Sequence, residues 1–450
     1  MFRAIWNACF SSPSSRNQRR GPRQSRRLIL EPLENRLPTA ADLFAALVAT
    51  PASDWAAAGQ ALAVSAQVQN IGDASAGSYQ VEYRLSTDNV ITTADPLLGT
   101  SSQVGLAAGA AANLTQSVTV PAATAKGVYY VGVRIVFSDA DAANNTAAEA
   151  TTTAVYLTSL TGTVTYGSST KSVAIRSYQA GGPIFDDRPT WIVIHGRNSS
   201  PSVSYLAGLS AAIDGYSASD QVLVLDWSAA AASGWIGGAG ENYIIPVGSW
   251  MAGKLSSYGL TPDELNLVGH SWGAYVAAET AERVPAPVGV TPQVNSIVAL
   301  DPAIDYPGGS YNPTSSGQVN FARNSQISWA FYANGGSWGS ATTAGTADES
   351  IVVRGSDHTK LVSVFTDVVR MNYDGRQNSG PTGSIVANLK LERLLTPALN
   401  TAWVFNSYTS SGSKSSGQFE GVIDAASGGT TLKTFRYVAS ATLQEVVLTA

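Results

Sequence analysis

Ser271 stands between two glycines in Gly269-His270-Ser271-Trp272-Gly273, where the apolar run LNLV gives way to the small-residue stretch AYVAAETAE. A strand that ends in Gly-x-Ser-x-Gly and passes into a helix is the setting of a nucleophile elbow. The glycines permit a turn so tight that the serine takes a strained conformation and its hydroxyl stands clear. The same letters fit an ordinary strand-to-helix turn with a capping serine, so the partners decide. A serine hydroxyl is a poor nucleophile at neutral pH and needs a base to remove its proton.

The chain has three histidines, His195, His270 and His358. His270 adjoins the serine, and the turn should point it away from the serine side chain. His195 ends an earlier strand in WIVIHG, where a packing or loop-holding role suits it better. His358 remains, in GSDHTKLV, just before a helical stretch; its alternative is a helix-capping surface histidine. The third member should be a carboxylate that orients the imidazole and stabilises its cation. Asp301 ends the strand after the nucleophile, in SIVALDPAIDY, at the sheet edge where functional groups of open α/β sheets gather. Asp305 is its main rival, four residues into the loop. Asp357 is too close to His358 to reach its ring, and Asp226 is better suited to holding structure. An oxyanion would need backbone donors: the N–H of Trp272, directly after the nucleophile, and the N–H of Arg197 in the loop after WIVIH, where Gly196 allows close approach.

These residues need a layered scaffold. From about Ser159 to Asp374 strands alternate with helical stretches, the mark of an α/β domain. TWIVIH (190–195), QVLVLDW (221–227), LNLVGH (265–270) and SIVALD (296–301) are continuous apolar runs, as parallel strands covered on both faces require. Gly248 to Tyr258 and Gly273 to Val284 are predicted as intervening helices. Residues 42–156 are different. Val64-Ala66-Val68, Tyr79-Val81-Tyr83-Leu85 and Tyr129-Val131-Val133-Ile135-Phe137 alternate with period two between Gly, Asn and Asp turns, which predicts a β-sandwich. Residues 375–450 alternate again and form a small strand-rich region of unknown role.

In the α/β part, WIVIHG, LDWS, GHSWGAYVA, ALDPA and FYANGG follow one another in an order that resembles the pancreatic-lipase-like family of lipases and phospholipases A1. The stretch AAAASGWIGGAGENYIIPVGSWMAGKL is similar to that family's linking helix, and the likeness spans roughly residues 188–360. It implies an α/β-hydrolase fold, Ser271, Asp301 and His358 as a triad, and Arg197 and Trp272 as oxyanion donors. The chain departs from the animal members in its single cysteine, Cys9, which excludes disulfides, and in the interval SWGSATTAGTADESIVVRGSD, which is not the amphipathic lid of a lipid-activated enzyme. Trp235, Trp250, Trp272, Trp329 and Trp338 either line an acyl cleft or belong to the core. In the N-terminal part, VQNIGDASAG, VEYRLSTDNVITTADPLLG, GLAAGAAANLTQSVTVP, KGVYYVGVRI and DAANNTA resemble the CARDB module, an adhesion-related immunoglobulin-like sandwich.

With 450 residues, several domains are expected; 13% charged residues and a net charge of −5 exclude a nucleic-acid electrostatic footprint. No run reaches the roughly 20 apolar residues of a membrane span. Residues 1–41 combine a basic, serine-rich stretch with RRLILEPLENRLPTA, which resembles the LEPLE-x-R sorting segment of bacterial surface and secreted proteins. An extracellular or cell-surface location is the expectation, against a plain disordered basic tail. The expected partners are a lipid or other ester substrate and a cell-surface or carbohydrate contact through the sandwich. No cofactor is required. Asp88, Asn89 and Asp95, and Asp139, Asp141, Asn144 and Asn145, carry oxygens suited to structural calcium, and equally to plain turn formation. Two alternatives to lipid-ester hydrolysis follow: a non-lipid carboxylesterase, such as a polysaccharide deacylase, and an adhesion protein with an unused hydrolase fold.

Overall fold

The computed structural model describes residues 40–50, 54–139, 141–215, 218–232, 240–303, 311–313, 319–333, 340–354, 357–373, 419–424, 431–439 and 442–446. Residues 1–39, Cys9 among them, and Trp235, Asp305 and Trp338 lie outside the described residues.

The first part consists of strands β1 (Leu43–Ala49), β2 (Trp55–Ala57), β3 (Ala61–Asn70), β4 (Tyr79–Ser86), β5 (Leu97–Gln103), β6 (Ala111–Thr119), β7 (Gly127–Val136), β8 (Thr146–Ala148) and β9 (Thr153–Tyr156). One sheet has the order β1-β3-β6; the other runs β2-β9-β7-β4-β5, with β8 paired to β7. The alternating residues Val64 and Val68 of β3, Val81 and Tyr83 of β4, and Val131 and Val133 of β7 meet in one buried core. Period-two burial between two sheets is thus what the alternation encodes. The acidic turns are held by protein donors. Asp95 accepts from the Thr92 N–H (2.6 Å) and the Ser86 hydroxyl (3.0 Å), Asp139 from the Leu43 N–H (3.0 Å) and Asn145 Nδ2 (3.0 Å), and Asp141 from the Ala143 N–H (3.0 Å). These bonds shape the turns. Among the described residues, no group of three or more His, Cys, Asp or Glu is placed to hold a metal ion.

The second part consists of β10 (Ser159–Tyr166), β11 (Ser169–Ser177), β12 (Thr190–Ile194), α1 (Ser204–Asp214), β13 (Gln221–Asp226), α2 (Ser228–Ala231), α3 (Ile244–Tyr258), β14 (Leu265–His270), α4 (Trp272–Arg283), β15 (Val294–Leu300), β16 (Ser325–Ala333), α5 (Ser340–Ala344), β17 (Glu349–Arg354), α6 (Lys360–Tyr373), β18 (Phe419–Asp424), β19 (Thr431–Ala439) and β20 (Thr442–Val446). The strands form one sheet of order β10-β11-β13-β12-β14-β15-β16-β17-β18-β19-β20. From β13 to β18 neighbours are parallel, and both edges are antiparallel. Successive residues of the central strands face opposite layers. Ile192, Leu267 and Ile297 contact the layer of α3 and α4, whereas Val193, Val268 and Val298 contact that of α1 and α6. Two covered faces explain why these strands are apolar without interruption.

One helix boundary differs from the expectation. Helix α3 begins at Ile244 rather than Gly248. Pro246 sits in its first turn, where a missing N–H costs nothing, and Gly248 is an interior contact: a Cβ there would lie 2.6 Å from Glu279 Cβ of α4. Of the two places open to Trp329, it takes the core: it is fully buried between β16 and the layer of α1 and α6. The interval between the NGG motif and His358 contains α5 and β17, the latter paired in parallel with β16. The three described strands of residues 375–450 extend the same large sheet, with β18 beside β17. Alternation alone cannot say which sheet a strand joins.

The two parts are tied together directly. Lys126, between β6 and β7, forms an ion pair with Asp186, donates to the Tyr258 carbonyl (2.6 Å) and lies 4.5 Å above the Tyr258 ring.

Candidate active site

Ser271 is the joint between β14 and α4, at φ 55° and ψ −125°. Among the described residues four non-glycines have positive φ: Asp54, Asn198, Ser271 and Asp301. Three of these sit in the turns that follow β12, β14 and β15, at one edge of the sheet. Strain of this kind persists only where the surroundings impose it. The surroundings here are glycines and backbone. A Cβ on Gly273 would collide with the Ile194 carbonyl oxygen and lie 2.7 Å from that of His195; one on Gly196 would lie 2.7 Å from Ser271 Cβ and 3.2 Å from its Oγ. The Ser271 N–H is bonded to the Leu300 carbonyl (2.9 Å), which fixes the turn to β15. Gly273→Ala is therefore expected to destabilise the protein by roughly 2 kcal/mol or more, as overpacking against unyielding backbone does. A thermal melt of the purified variant checks this, with a lower midpoint as the expected outcome.

Asp301 and His358 meet across β15 and the turn before α6. His358 Nδ1 donates to Asp301 Oδ2 at 2.6 Å. Asp301 is fully buried, and its Oδ1 accepts the Ala333 N–H at 3.2 Å, so the carboxylate is oriented from two sides. The bond to Nδ1 leaves Nε2 of His358 as the nitrogen available for proton transfer. Asp357 instead caps α6, accepting from the backbone N–H groups of Lys360 (2.6 Å) and Thr359 (2.9 Å), which hold its pKa below the usual carboxylate value. Asp226 accepts from the Ser228 N–H and hydroxyl and so starts α2.

The loop after β12 passes directly against the serine, as the Gly196 contacts require. Asn198 N–H bonds to the Ala231 carbonyl at 3.2 Å, which pins this loop to α2. The Arg197 guanidinium lies 5.6 Å from the centre of the Trp272 ring. Trp272 opens α4, so its own N–H belongs to the unpaired first turn, at the positive end of the helix dipole. Behind them, Glu241 is buried; burial raises its pKa, and the Arg197 cation opposes that rise.

His195 and His270 are interior. His195 Nδ1 donates to the Gly196 carbonyl (2.9 Å) and Nε2 accepts the Trp227 N–H (3.2 Å), so it holds the loop after β12 as a neutral ring. Burial pushes its pKa down to about 4. His270 is likewise pushed down to about 4, first by burial and then by the charge of neighbouring His358. An unfolded histidine titrates near 6.5, so between pH 6.5 and 4 the unfolded chain binds more protons than the folded one. Stability from these two rings is complete above pH 6.5 and is lost as pH falls to 4, by up to roughly 3 kcal/mol per ring at 1.36 kcal/mol per unit. Thermal midpoints measured from pH 7 to pH 4 should fall, and the slope should be shallower in His195→Asn.

The CARDB family model matches residues 40–153. This segment is a CARDB domain. No curated protein sequence matches the chain. Among solved structures, the CARDB segment is similar to a CARDB domain from Pyrococcus furiosus in complex with di-metal ions: 18% identity, 26% of this chain, 89% of that one, TM-score 0.20. The chain is also similar to a lipase/esterase from Lactobacillus plantarum, at 14% identity over 53% of this chain and 99% of that one, TM-score 0.28. A third similarity is to the esterase Est22, at 13% identity over 49% of this chain and 81% of that one, TM-score 0.30.

Sequence reasoning missed what surrounds the candidate residues. Nothing in the spacing signals that Tyr205 of α1 stands edge-on to His270 (5.5 Å) or that His270 contacts His358. The positive φ at Asn198 was visible only as an Asn in a Gly-Arg-Asn turn, a residue type that tolerates that conformation.

Proposed function

We propose that this protein is an exported serine hydrolase of carboxylic esters, with a CARDB domain ahead of an α/β-hydrolase domain. The observation that carries the reading is the Asp301–His358 hydrogen bond at the sheet edge where Ser271 stands in a strained turn. Ser271 Oγ attacks the ester carbonyl while His358 Nε2 takes its proton. Asp301 holds the ring and stabilises the imidazolium. The N–H groups of Arg197 and Trp272 receive the oxyanion, in a turn where α4 directs its positive end at the developing charge. The tetrahedral intermediate collapses, His358 returns the proton to the leaving alcohol, and the acyl group stays on Ser271. Water, deprotonated by His358, then releases the acid. No cofactor enters these steps.

Lipid esters, as for a lipase or phospholipase A1, are the first substrate class. A second reading, hydrolysis of non-lipid esters, is supported by the interval before His358, where a helical turn and an internal strand take up much of the length an amphipathic lid would need. The CARDB domain and the basic segment 1–41 support a cell-surface or extracellular setting, with the sandwich contacting the surface or its carbohydrate. No helix among the described residues is long and apolar enough to cross a membrane.

Rates on p-nitrophenyl esters from acetyl to palmitoyl, beside emulsified triacylglycerol, test the substrate class. The expected outcome is a chain-length optimum with no jump in rate as substrate passes its solubility limit. A sharp rise at the lipid interface would overturn the lidless account. Preference for acetyl esters alone would replace the lipid reading with the deacylase one.

A further inference from the structure

His270 occupies the position between Gly269 and Ser271, at the end of β14, and is 3% exposed. Its Nε2 lies 2.8 Å from the backbone carbonyl oxygen of His358, and the two imidazole rings are 4.6 Å apart at 41°. A carbonyl can only accept, so the proton of the neutral ring is on Nε2. That leaves Nδ1 bare, and it is buried without a hydrogen-bond partner among the described residues. A buried nitrogen left unpaired is unfavourable, and an apolar side chain would avoid it. The ring nevertheless makes one directed bond, to the residue that carries the candidate base.

We infer that His270 is a positioning residue for His358: it holds the backbone of the catalytic histidine while Asp301 holds its ring. The inference rests on the triad reading of Ser271, Asp301 and His358. The two anchors come from adjacent strands, β14 and β15, and act on different atoms of one residue. Asp301 fixes the direction of Nδ1, and Asp357 ties the turn at 357–359 to the start of α6. The bond from His270 adds a direct link between this turn and the strand end that carries Ser271. Tyr205 from α1 closes the other side of the His270 ring at 5.5 Å, and its hydroxyl lies 3.4 Å from Ser199 Oγ, in the loop that follows Arg197. One buried ring therefore touches the base and, through Tyr205, the oxyanion side. Near-attack geometry is sensitive to displacements of about 1 Å, which can cost about a hundredfold in rate.

The test uses the full chain and three forms: wild type, His270→Leu and His270→Gln. Glutamine keeps an N–H donor of similar reach, whereas leucine fills the space without one. Hydrolysis of a p-nitrophenyl ester should show kcat reduced about thirtyfold to a hundredfold in His270→Leu with KM within twofold, and recovery to within about fivefold of wild type in His270→Gln. Equal kcat in wild type and His270→Leu would overturn the inference. So would equal losses in both variants, because that is what a purely structural role would give. A second readout does not depend on activity. With three histidines in the chain, 15N-histidine labelling resolves each ring. The His358 Nδ1–H proton, held on Asp301, should be visible in wild type and His270→Gln and lost to exchange in His270→Leu. Its persistence in His270→Leu would overturn the positioning role even if wild type proved inactive, whereas inactivity of wild type with loss of this proton would sink the hydrolase reading and leave the positioning role standing.

Discussion

Ser271→Ala is expected to lower ester hydrolysis by about ten-thousandfold or more, with melting temperature unchanged. Loss of the nucleophile removes the acylation step outright, and what remains is the small acceleration that oxyanion donors and binding give to attack by water. The substitution is clean on structural grounds. Alanine retains the Cβ that Gly196 is built around and meets the same strain at φ 55° as serine does. The Ser271 N–H bond to Leu300 and the Ala274 N–H bond to the residue 271 carbonyl both involve backbone. KM should therefore hold within a fewfold while kcat collapses, as expected for an atom that matters only in the transition state. Steady-state kinetics beside a thermal melt separates this outcome from unfolding.

The second large effect is Asp301→Asn, expected to reduce kcat by about ten-thousandfold at neutral pH through the tautomer of His358. Asparagine tolerates the positive φ of 43° at least as well as aspartate, so the backbone at the end of β15 should persist. Its amide oxygen can go on accepting the Ala333 N–H, which turns the NH2 towards His358 Nδ1. An N–H donor at that place makes Nδ1 the acceptor and moves the ring proton to Nε2, the nitrogen that must be bare to act as base. Asp301→Ala should differ. It leaves the Ala333 N–H without its partner in a fully buried place, so a stability loss of about 1–3 kcal/mol should join the kinetic one. Equal melting of wild type and the asparagine variant, with activity lost only in the latter, is the expected pattern.

What is legible in the sequence follows from how each feature is encoded. Continuous apolar runs mark β12, β13, β14 and β15 because two helical layers cover them, and alternation marks β3, β4 and β7 because one face of each is buried. Scarcity does the rest: with three histidines in the chain, elimination points to His358 as the candidate base, and its ring is hydrogen-bonded to Asp301. Other features are encoded in three dimensions only. The start of α3 depends on Pro246 and on how Gly248 meets Glu279, and the burial of Trp329 depends on α1 and α6 lying over β16. The pairing of β18 with β17 joins segments separated by more than sixty positions, which no local period can announce. The bond from His270 to the His358 carbonyl, between residues 88 positions apart, is of the same kind.

A covalent acyl intermediate on Ser271 can be trapped chemically. The full chain would be incubated with an alkyl fluorophosphonate, weighed intact by mass spectrometry, and digested to locate the adduct. One phosphonyl group per chain is expected, on Ser271, with ester hydrolysis lost in proportion and no labelling of Ser271→Ala. An enzyme that goes on hydrolysing esters without taking up the reagent at Ser271, or that is labelled elsewhere as its activity falls, would contradict nucleophilic catalysis by Ser271.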